Sequence, residues 1–352
     1  MKIVFFIDRM NGFGGAQRVI SALANEFSKR GNEVALFLTG NTKDSVYPLE
    51  EGICIKTFYT EGAFHHIKSI KKIKREIGLF NPDVMVSFLT LVNIIAILSN
   101  FRRRFPLIIS ERNDPTKCSL YEKILSRFLY NKADAIVVQT KDIEQKIKDI
   151  CHCKSFVIQN PLSEFSVAKD NYTSVGKIVA VGRLNKQKNY QNLILAMKIV
   201  VSKFPDYILD IYGVGPEKNN LKQIVRDQNL ENKIYFKGNS DSIQQVEIKY
   251  DFYVMSSDFE GMPNALAEAM AIGMPCISTN CEGGGAASLI CSGKNGLLVA
   301  RNNPQELANA IIKFINNKDL REEMGTQAKQ IRNTLSIDTV FNLWCNCIED
   351  VV

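Results

Sequence analysis

Residues 2–40 read KIVFFIDRMNGFGGAQRVISALANEFSKRGNEVALFLTG: an apolar run, a glycine-rich loop, an amphipathic segment and a second apolar run. The order is strand, loop, helix, strand. Residues 177–215, KIVAVGRLNKQKNYQNLILAMKIVVSKFPDYILDIYGVG, repeat that order without repeating its letters. Each stretch is a βαβ unit of about 35–40 residues, and two such units start two doubly wound α/β domains.

Working outward, further strands are expected at DVMVSFL, LIIS, AIVVQT and FVIQN in the first half. In the second half they are expected at YILDIYG, IYFKG, FYVMSS, PCIST and GLLVA. Strands alternating with amphipathic segments make parallel sheets, and ligands bind such sheets beyond the carboxyl ends of the strands. A chain of 352 residues exceeds the usual single core. Periodicity is lost over roughly 160–175, which reads as a linker. The expected division is one Rossmann-like domain over 1–165, a second Rossmann-like domain over 166–335 and a closing helix over 336–352. That last stretch, SIDTVFNLWCNCIEDVV, holds the only tryptophan, Trp344, and is expected to pack across onto the first domain.

Charge is distributed unevenly. Residues 1–165 hold 24 Lys and Arg against 17 Asp and Glu, whereas the remainder holds 20 of each, so the whole excess of +7 lies in the N-terminal half. It is densest in IKSIKKIKREI, residues 67–77, and in Arg102-Arg103-Arg104. The first segment reads either as a solvated helix face or as a basic amphipathic surface that meets anionic lipid headgroups. Nucleic acid is not an expected partner, since no aromatic-interleaved basic motif is present. The nine cysteines follow no disulfide or zinc spacing, which suits reduced thiols in a cytosolic setting. No signal peptide pattern precedes the first strand. The most apolar run, residues 84–98, is broken by Ser87, Thr90 and Asn93 and is shorter than the ~20 residues of a membrane span.

Three motifs fall at strand ends. Asn11-Gly12-Phe13-Gly14-Gly15-Ala16 opens the first helix, but its pattern is not the dinucleotide G-x-G-x-x-G, and no acidic residue ends EVALFLT to hold a ribose. Its glycines either admit backbone N–H groups to a phosphate or sugar, or simply make a tight turn. In GRLNKQKN, residues 182–189, Arg183 and Lys188 can converge on a diphosphate or stand as ordinary surface charge. In EGMPNALAE, residues 260–268, a helix is expected from about Asn264, with Glu260 in the loop before it and Glu268 more than a turn inside. Taken alone, these read as a charge favoured by the helix dipole and a solvated helix residue.

Together they do not stand alone. The pattern S-S-x-x-E-G-x-P-x-x-x-x-E-A-M-A-x-G-x-P, with GKNGLLV at 293–299, GRLNKQKN and GGAQR, resembles the family 4 retaining glycosyltransferases, which have the GT-B fold. Within that family it is most similar to transferases of bacterial O-antigen, capsule and exopolysaccharide assembly. The resemblance implies two Rossmann-like domains facing across a cleft. It implies that Glu260 lies against the donor sugar, as nucleophile or as support for an oxocarbenium-like centre. Glu268 would bind the ribose hydroxyls, and Arg183 and Lys188 would stabilise the leaving diphosphate. N–H groups at Gly14 and Gly15 would lie near the donor phosphate or acceptor, and backbone at Met262, Pro263 and Asn264 would face the donor. The family needs no divalent metal, which agrees with the absence of D-x-D here, so no metal or other cofactor is expected.

Two positions depart from the family. A histidine that many relatives carry after the strand LIIS is missing, and the region reads Ser110-Glu111-Arg112-Asn113-Asp114-Pro115. Glu111, Arg112 or Asn113 can contact sugar or acceptor, or the loop can hold a satisfied salt bridge. Residues 281–288, CEGGGAAS, are expected to line the donor cleft. The implied activity is transfer of a hexose or N-acetylhexosamine from a nucleotide sugar, UDP-linked in the first instance. The implied acceptor is an undecaprenyl-diphosphate-linked saccharide at the inner face of the bacterial inner membrane. A sugar-nucleotide hydrolase, phosphorylase or epimerase of the same fold would release sugar without an acceptor, and a non-catalytic scaffold would not turn over donor at all.

Overall fold

The computed structural model describes residues 1–11, 14–40, 44–59, 65–102, 104–112, 114, 118–162, 167–239 and 248–352, without the side chains of 65–67. The chain forms two compact units. One is Met1–Pro161 with Ser336–Val352, and the other is Leu162–Leu335.

The first unit holds seven strands: β1 (Lys2–Ile7), β2 (Glu33–Leu38), β3 (Cys54–Thr57), β4 (Val84–Phe88), β5 (Leu107–Ser110), β6 (Ala135–Val138) and β7 (Lys154–Val157). They pair in the order β3-β2-β1-β4-β5-β6-β7, and every pairing is parallel. Successive residues of β1 feed opposite cores: Ile3, Phe5 and Ile7 enter one, Val4 and Phe6 the other. That two-sided burial explains why the strand reads as a continuous apolar run. Strand β3 is not among the expected strands. It is an exposed to half-buried edge strand whose only neighbour is β2, so it needs no apolar run. Strand β7 begins two residues before FVIQN and stops at Val157.

The helix His65–Phe80 directs Ile73 and Ile77 into the core and leaves Lys68, Lys71, Lys72, Lys74 and Arg75 exposed. Its basic side is therefore exposed, as either a solvated face or a lipid-facing surface requires. The closing helix Ile337–Glu349 is capped by the Ser336 side chain, which accepts from Thr339 N at 3.1 Å. It buries Val340, Phe341, Trp344, Cys347 and Ile348 in the core shared with Phe5, Leu36 and Phe88. Trp344 stacks on Phe88 with centroids 5.6 Å apart, and Phe341 meets Phe27 at 4.6 Å. Each such fully buried side chain contributes about 1.5–3 kcal/mol, enough to hold the helix to the first unit.

The second unit holds β8 (Lys177–Val181), β9 (Ile208–Tyr212), β10 (Ile234–Gly238), β11 (Phe252–Met255), β12 (Cys276–Thr279) and β13 (Leu297–Val299). Their order is β10-β9-β8-β11-β12-β13, again all parallel. In both sheets the chain builds outward from its first strand and then reverses to the other side. The reversal opens a crevice beyond the carboxyl ends of β1 and β4, and another beyond β8 and β11.

No disulfide joins the cysteines. Among the described residues, no group of three or more His, Cys, Asp or Glu is placed to hold a metal ion, and no helix is long and apolar enough to cross a membrane.

Candidate functional site

The loops leaving β8 and β11 meet at the reversal point of the second sheet. After β8, Gly182 leads into a short turn at Lys186–Lys188, where the Asn185 side chain accepts from Lys188 N at 3.2 Å. Asn189 then takes a left-handed conformation (φ 42°) and caps the helix Tyr190–Lys203. A Cβ on Gly182 would lie 2.9 Å from Lys188 Cε, so only glycine leaves room for the lysine stem across that backbone. The loop is tied to the chain after β11 at three points. Ser256 Oγ donates to Lys188 O (2.9 Å), Asp258 N to Gln187 O (2.9 Å) and Asn189 Nδ2 to Asp258 Oδ1 (2.8 Å).

This scaffold brings Lys188 to Glu260. Lys188 Nζ donates to Glu260 Oε1 at 2.6 Å, and Ser257 Oγ donates to the same oxygen at 2.9 Å. The two charged side chains are only 15% and 10% exposed. Glu260 Oε2 has no partner among the described residues. The pair is thus a nearly buried, charge-assisted contact with one carboxylate oxygen held and the other open. Arg183 is exposed, and its guanidinium makes no hydrogen bond or ion pair among the described residues. Burial, with the nearby charge of Glu260, raises the phenol of Tyr190, which donates to Gly182 O at 3.1 Å.

Helix Asn264–Ala271 follows Met262 and Pro263, both buried. Pro263 stands at its N-cap and supplies no side-chain hydrogen bond to the first turn, and the leading N–H groups carry the positive end of the helix dipole. Glu268 is 9% exposed, not a solvated helix residue. Asn264 is half-buried at the helix start.

The glycine stretch after β12 packs against the backbone of the glutamate loop. A Cβ on Gly283 (φ +84°) would meet Glu260 O at 2.5 Å, and one on Gly285 would meet Gly261 O at 2.6 Å. Glu260 N donates to Glu282 O, and Glu282 N to Asp258 O, each at 2.9 Å. Residues 281–288 therefore brace Glu260 from behind through close backbone approach. Arg301 completes the brace by pairing with Glu282 (2.8 Å) and donating to Asp258 O (3.3 Å).

In the first unit, Gly14 is the N-cap of helix Gly15–Lys29, and the Gln17 side chain lies where a Gly14 Cβ would sit. Gly15 is the first helical residue. Beyond β5, Glu111 and Arg112 turn to opposite sides. Glu111 is buried and accepts from Thr90 Oγ1 (3.1 Å), Asn93 Nδ2 (3.2 Å) and the Tyr130 hydroxyl. Burial pushes its carboxyl up from 4.5 to about 7, against the pull of those three donors. Arg112 lies over the Phe88 ring, 4.7 Å from its centroid, so Glu111 and Arg112 form no salt bridge with each other. Asp114, also buried, pairs with Lys146. Asn113, Pro115 and the leading Gly12-Phe13 of the glycine loop lie outside the described residues.

Two family models divide the chain between them. The model "Glycosyltransferase Family 4" matches residues 13–163, and "Glycosyl transferases group 1" matches residues 164–331. This chain belongs to the family 4 glycosyltransferases. A Haemophilus influenzae protein named an uncharacterized glycosyltransferase is 25% identical over 363 residues, covering 97% of this chain and 98% of that one. A Campylobacter jejuni relative is 26% identical over 363 residues, covering 100% and 99% of the two chains. It is named GalNAc-alpha-(1->4)-GalNAc-alpha-(1->3)-diNAcBac-PP-undecaprenol alpha-1,4-N-acetyl-D-galactosaminyltransferase. Anabaena HepE, solved in complex with UDP, superposes with a TM-score of 0.85 at 19% identity, covering 99% of this chain and 100% of HepE. The fold of this glycosyltransferase is GT-B, with two Rossmann-like parallel-sheet units.

Within the glycosyltransferase, Ser257, Asn189 and Arg301 are positioned at the site without having been singled out from the sequence. Ser257 had a signal, since it belongs to the Ser-Ser pair that ends β11. Arg301 had none, because its pairing to Glu282 depends on how β13 sits beside β12.

Proposed function

We propose that the chain transfers a hexosyl or N-acetylhexosaminyl group from a nucleotide sugar, UDP-linked, to a saccharide on a lipid diphosphate. The transfer proceeds with retention and without a metal ion, in bacterial surface polysaccharide assembly. The observation that carries this reading is the Lys188–Glu260–Ser257 contact at the β8/β11 reversal point. The UDP in HepE and the undecaprenol-linked substrate in the Campylobacter relative's name support the choice of donor and acceptor.

In this reading Arg183, exposed and unengaged, and Lys188 neutralise the departing diphosphate, helped by the N-terminus of helix Asn264–Ala271 beside Met262 and Pro263. Glu268 holds the ribose hydroxyls. The bond from the anomeric carbon to the diphosphate breaks as the acceptor oxygen attacks on the same face. The acceptor proton passes to the leaving phosphate oxygen. Glu260, fixed through Oε1, presents Oε2 to the positive anomeric centre. The N–H groups at Gly14 and Gly15 approach the donor phosphate or the acceptor.

Peripheral attachment to the cytoplasmic face of the inner membrane is part of the same proposal. Helix Leu120–Leu129 exposes Leu120, Tyr121, Ile124 and Phe128 between Lys123 and Arg127, the composition of a helix lying in a lipid interface. This face has exposed apolar surface to insert.

The test is a UDP titration of the whole protein beside turnover of UDP-sugars with a lipid-diphosphate saccharide, read by mass spectrometry. Arg183→Ala should leave folding unchanged and lower kcat by roughly 10²–10³-fold. Wild-type turnover in that variant, or no UDP binding at all, sinks the assignment.

A further inference from the structure

One buried charge in the first unit has no counterpart among the described residues. Arg112 is 7% exposed, and its Nε, Nη1 and Nη2 are all buried without a hydrogen-bond partner. A guanidinium has five N–H donors and stays charged, so burial normally comes with acceptors. The other deeply buried arginine, Arg321, shows the usual solution: it donates to the carbonyls of Phe314, Ile315 and Tyr172.

The neighbouring carboxylates are engaged elsewhere. Glu111 takes the bonds of Thr90, Asn93 and Tyr130, and Asp114 pairs with Lys146. Against the Arg112 guanidinium lies a ring. Phe88 lies 4.7 Å beneath it and is itself stacked on Trp344 of the closing helix. Those rings fix the plane of the fork and offer no acceptor to its edges. Ser110 Oγ, on the last residue of β5 and two positions before Arg112, is also buried and unbonded. Burial holds the Arg112 pKa down to about 9, so the group is still a cation at neutral pH.

We propose that Arg112, at the carboxyl end of β5 on the Phe88 side, is the docking point for a phosphoryl oxyanion of a substrate. A carboxylate presents two oxygens, and three nitrogens stand open. A phosphate or diphosphate offers three or more oxygens to a planar fork. The position is where a doubly wound sheet binds ligands. A desolvated cation held ready gains more from an anion than a hydrated one would. The proposal rests on the glycosyltransferase reading, in which both donor and acceptor carry a diphosphate.

The experiment uses the full chain, wild-type and Arg112→Met, in two titrations followed by calorimetry. UDP is titrated first, and inorganic pyrophosphate is then titrated into UDP-saturated protein. If the oxyanion belongs to the acceptor, wild-type protein binds pyrophosphate on top of UDP. Arg112→Met then weakens that second site by roughly 30-fold or more and leaves UDP affinity unchanged. If it belongs to the donor, UDP affinity itself falls by that factor. Unchanged affinity for both overturns the proposal. Removing an unpartnered buried cation should hold or raise the thermal midpoint, so a lowered midpoint with unaltered binding also overturns it. Should Arg112→Met fold poorly, Arg112→Lys decides, because it keeps a cation and loses the fork: a weaker site supports the proposal and wild-type affinity refutes it. Absence of UDP binding would strike the proposed function alone, since pyrophosphate titrated into ligand-free wild-type and variant still reads Arg112.

Discussion

Replacing Glu111 with glutamine should stabilise the first unit, and the gain should depend on pH. The carboxyl is buried, and burial raises its pKa from 4.5 to about 7. A group whose folded pKa is raised contributes stability that is fully present below its unfolded pKa and is lost as pH rises through the folded value. Wild-type protein therefore loses stability between about pH 4.5 and pH 7, as the native state is forced to hold a buried carboxylate. The interval from 4.5 to about 7 corresponds to about 3 kcal/mol at full ionisation. Glutamine never ionises, and its amide NH₂ can donate to Asn93 Oδ1, which is buried without a partner. Glu111→Gln should thus gain about 3 kcal/mol over wild-type at pH 8.5 and only a small part of that at pH 4.5. The assay is urea unfolding followed by fluorescence. Trp344 is the only tryptophan, is fully buried in the first unit and stacks on Phe88, so it reports that unit alone. With slopes of about 1–3 kcal/mol per molar urea, the high-pH gain moves the midpoint by roughly 1–3 M. A difference that does not change between pH 4.5 and 8.5, or a variant less stable at pH 8.5, would refute the reasoning.

Lys188→Met should destabilise the second unit by about 3 kcal/mol, since it strands Glu260 as an unpaired carboxylate only 10% exposed. Adding Glu260→Gln should restore most of that stability in chemical denaturation while transfer stays abolished; additive losses in the double variant would show that the two side chains are not coupled. Phe128→Glu with Ile124→Glu should leave the unfolding free energy within about 0.5 kcal/mol of wild-type, because both side chains are exposed. The same pair should markedly reduce cosedimentation with anionic phospholipid vesicles, and undiminished cosedimentation would rule out this helix as the membrane face.

The two doubly wound sheets were legible in the letters because strand and helix periodicity are local. Lys2–Ile7 and Lys177–Val181 announce buried parallel strands within a few residues, and Ser336 with the apolar spacing after it announces the closing helix. The resemblance to the family's motifs likewise singled out Glu260, Glu268, Arg183 and Lys188. What spacing does not contain is which distant groups share one volume. Lys188 and Glu260 lie 72 positions apart and meet only because β8 and β11 are neighbours in the sheet. Gly283 and Gly285 support Glu260 only because β12 lies on the other side of β11. Strand β3 escaped notice because an edge strand needs neither continuous apolarity nor burial. Glu111 and Arg112 are adjacent in sequence, and a loop salt bridge was one natural expectation; the ion pair that forms there is Asp114 with Lys146. Beyond the end of β5 Glu111 and Arg112 turn to opposite sides, one into a set of three donors and the other onto an aromatic ring with no acceptor. Chemical type is written in the sequence; desolvation, and therefore which charge is answered and which is left open, belongs to the packed structure.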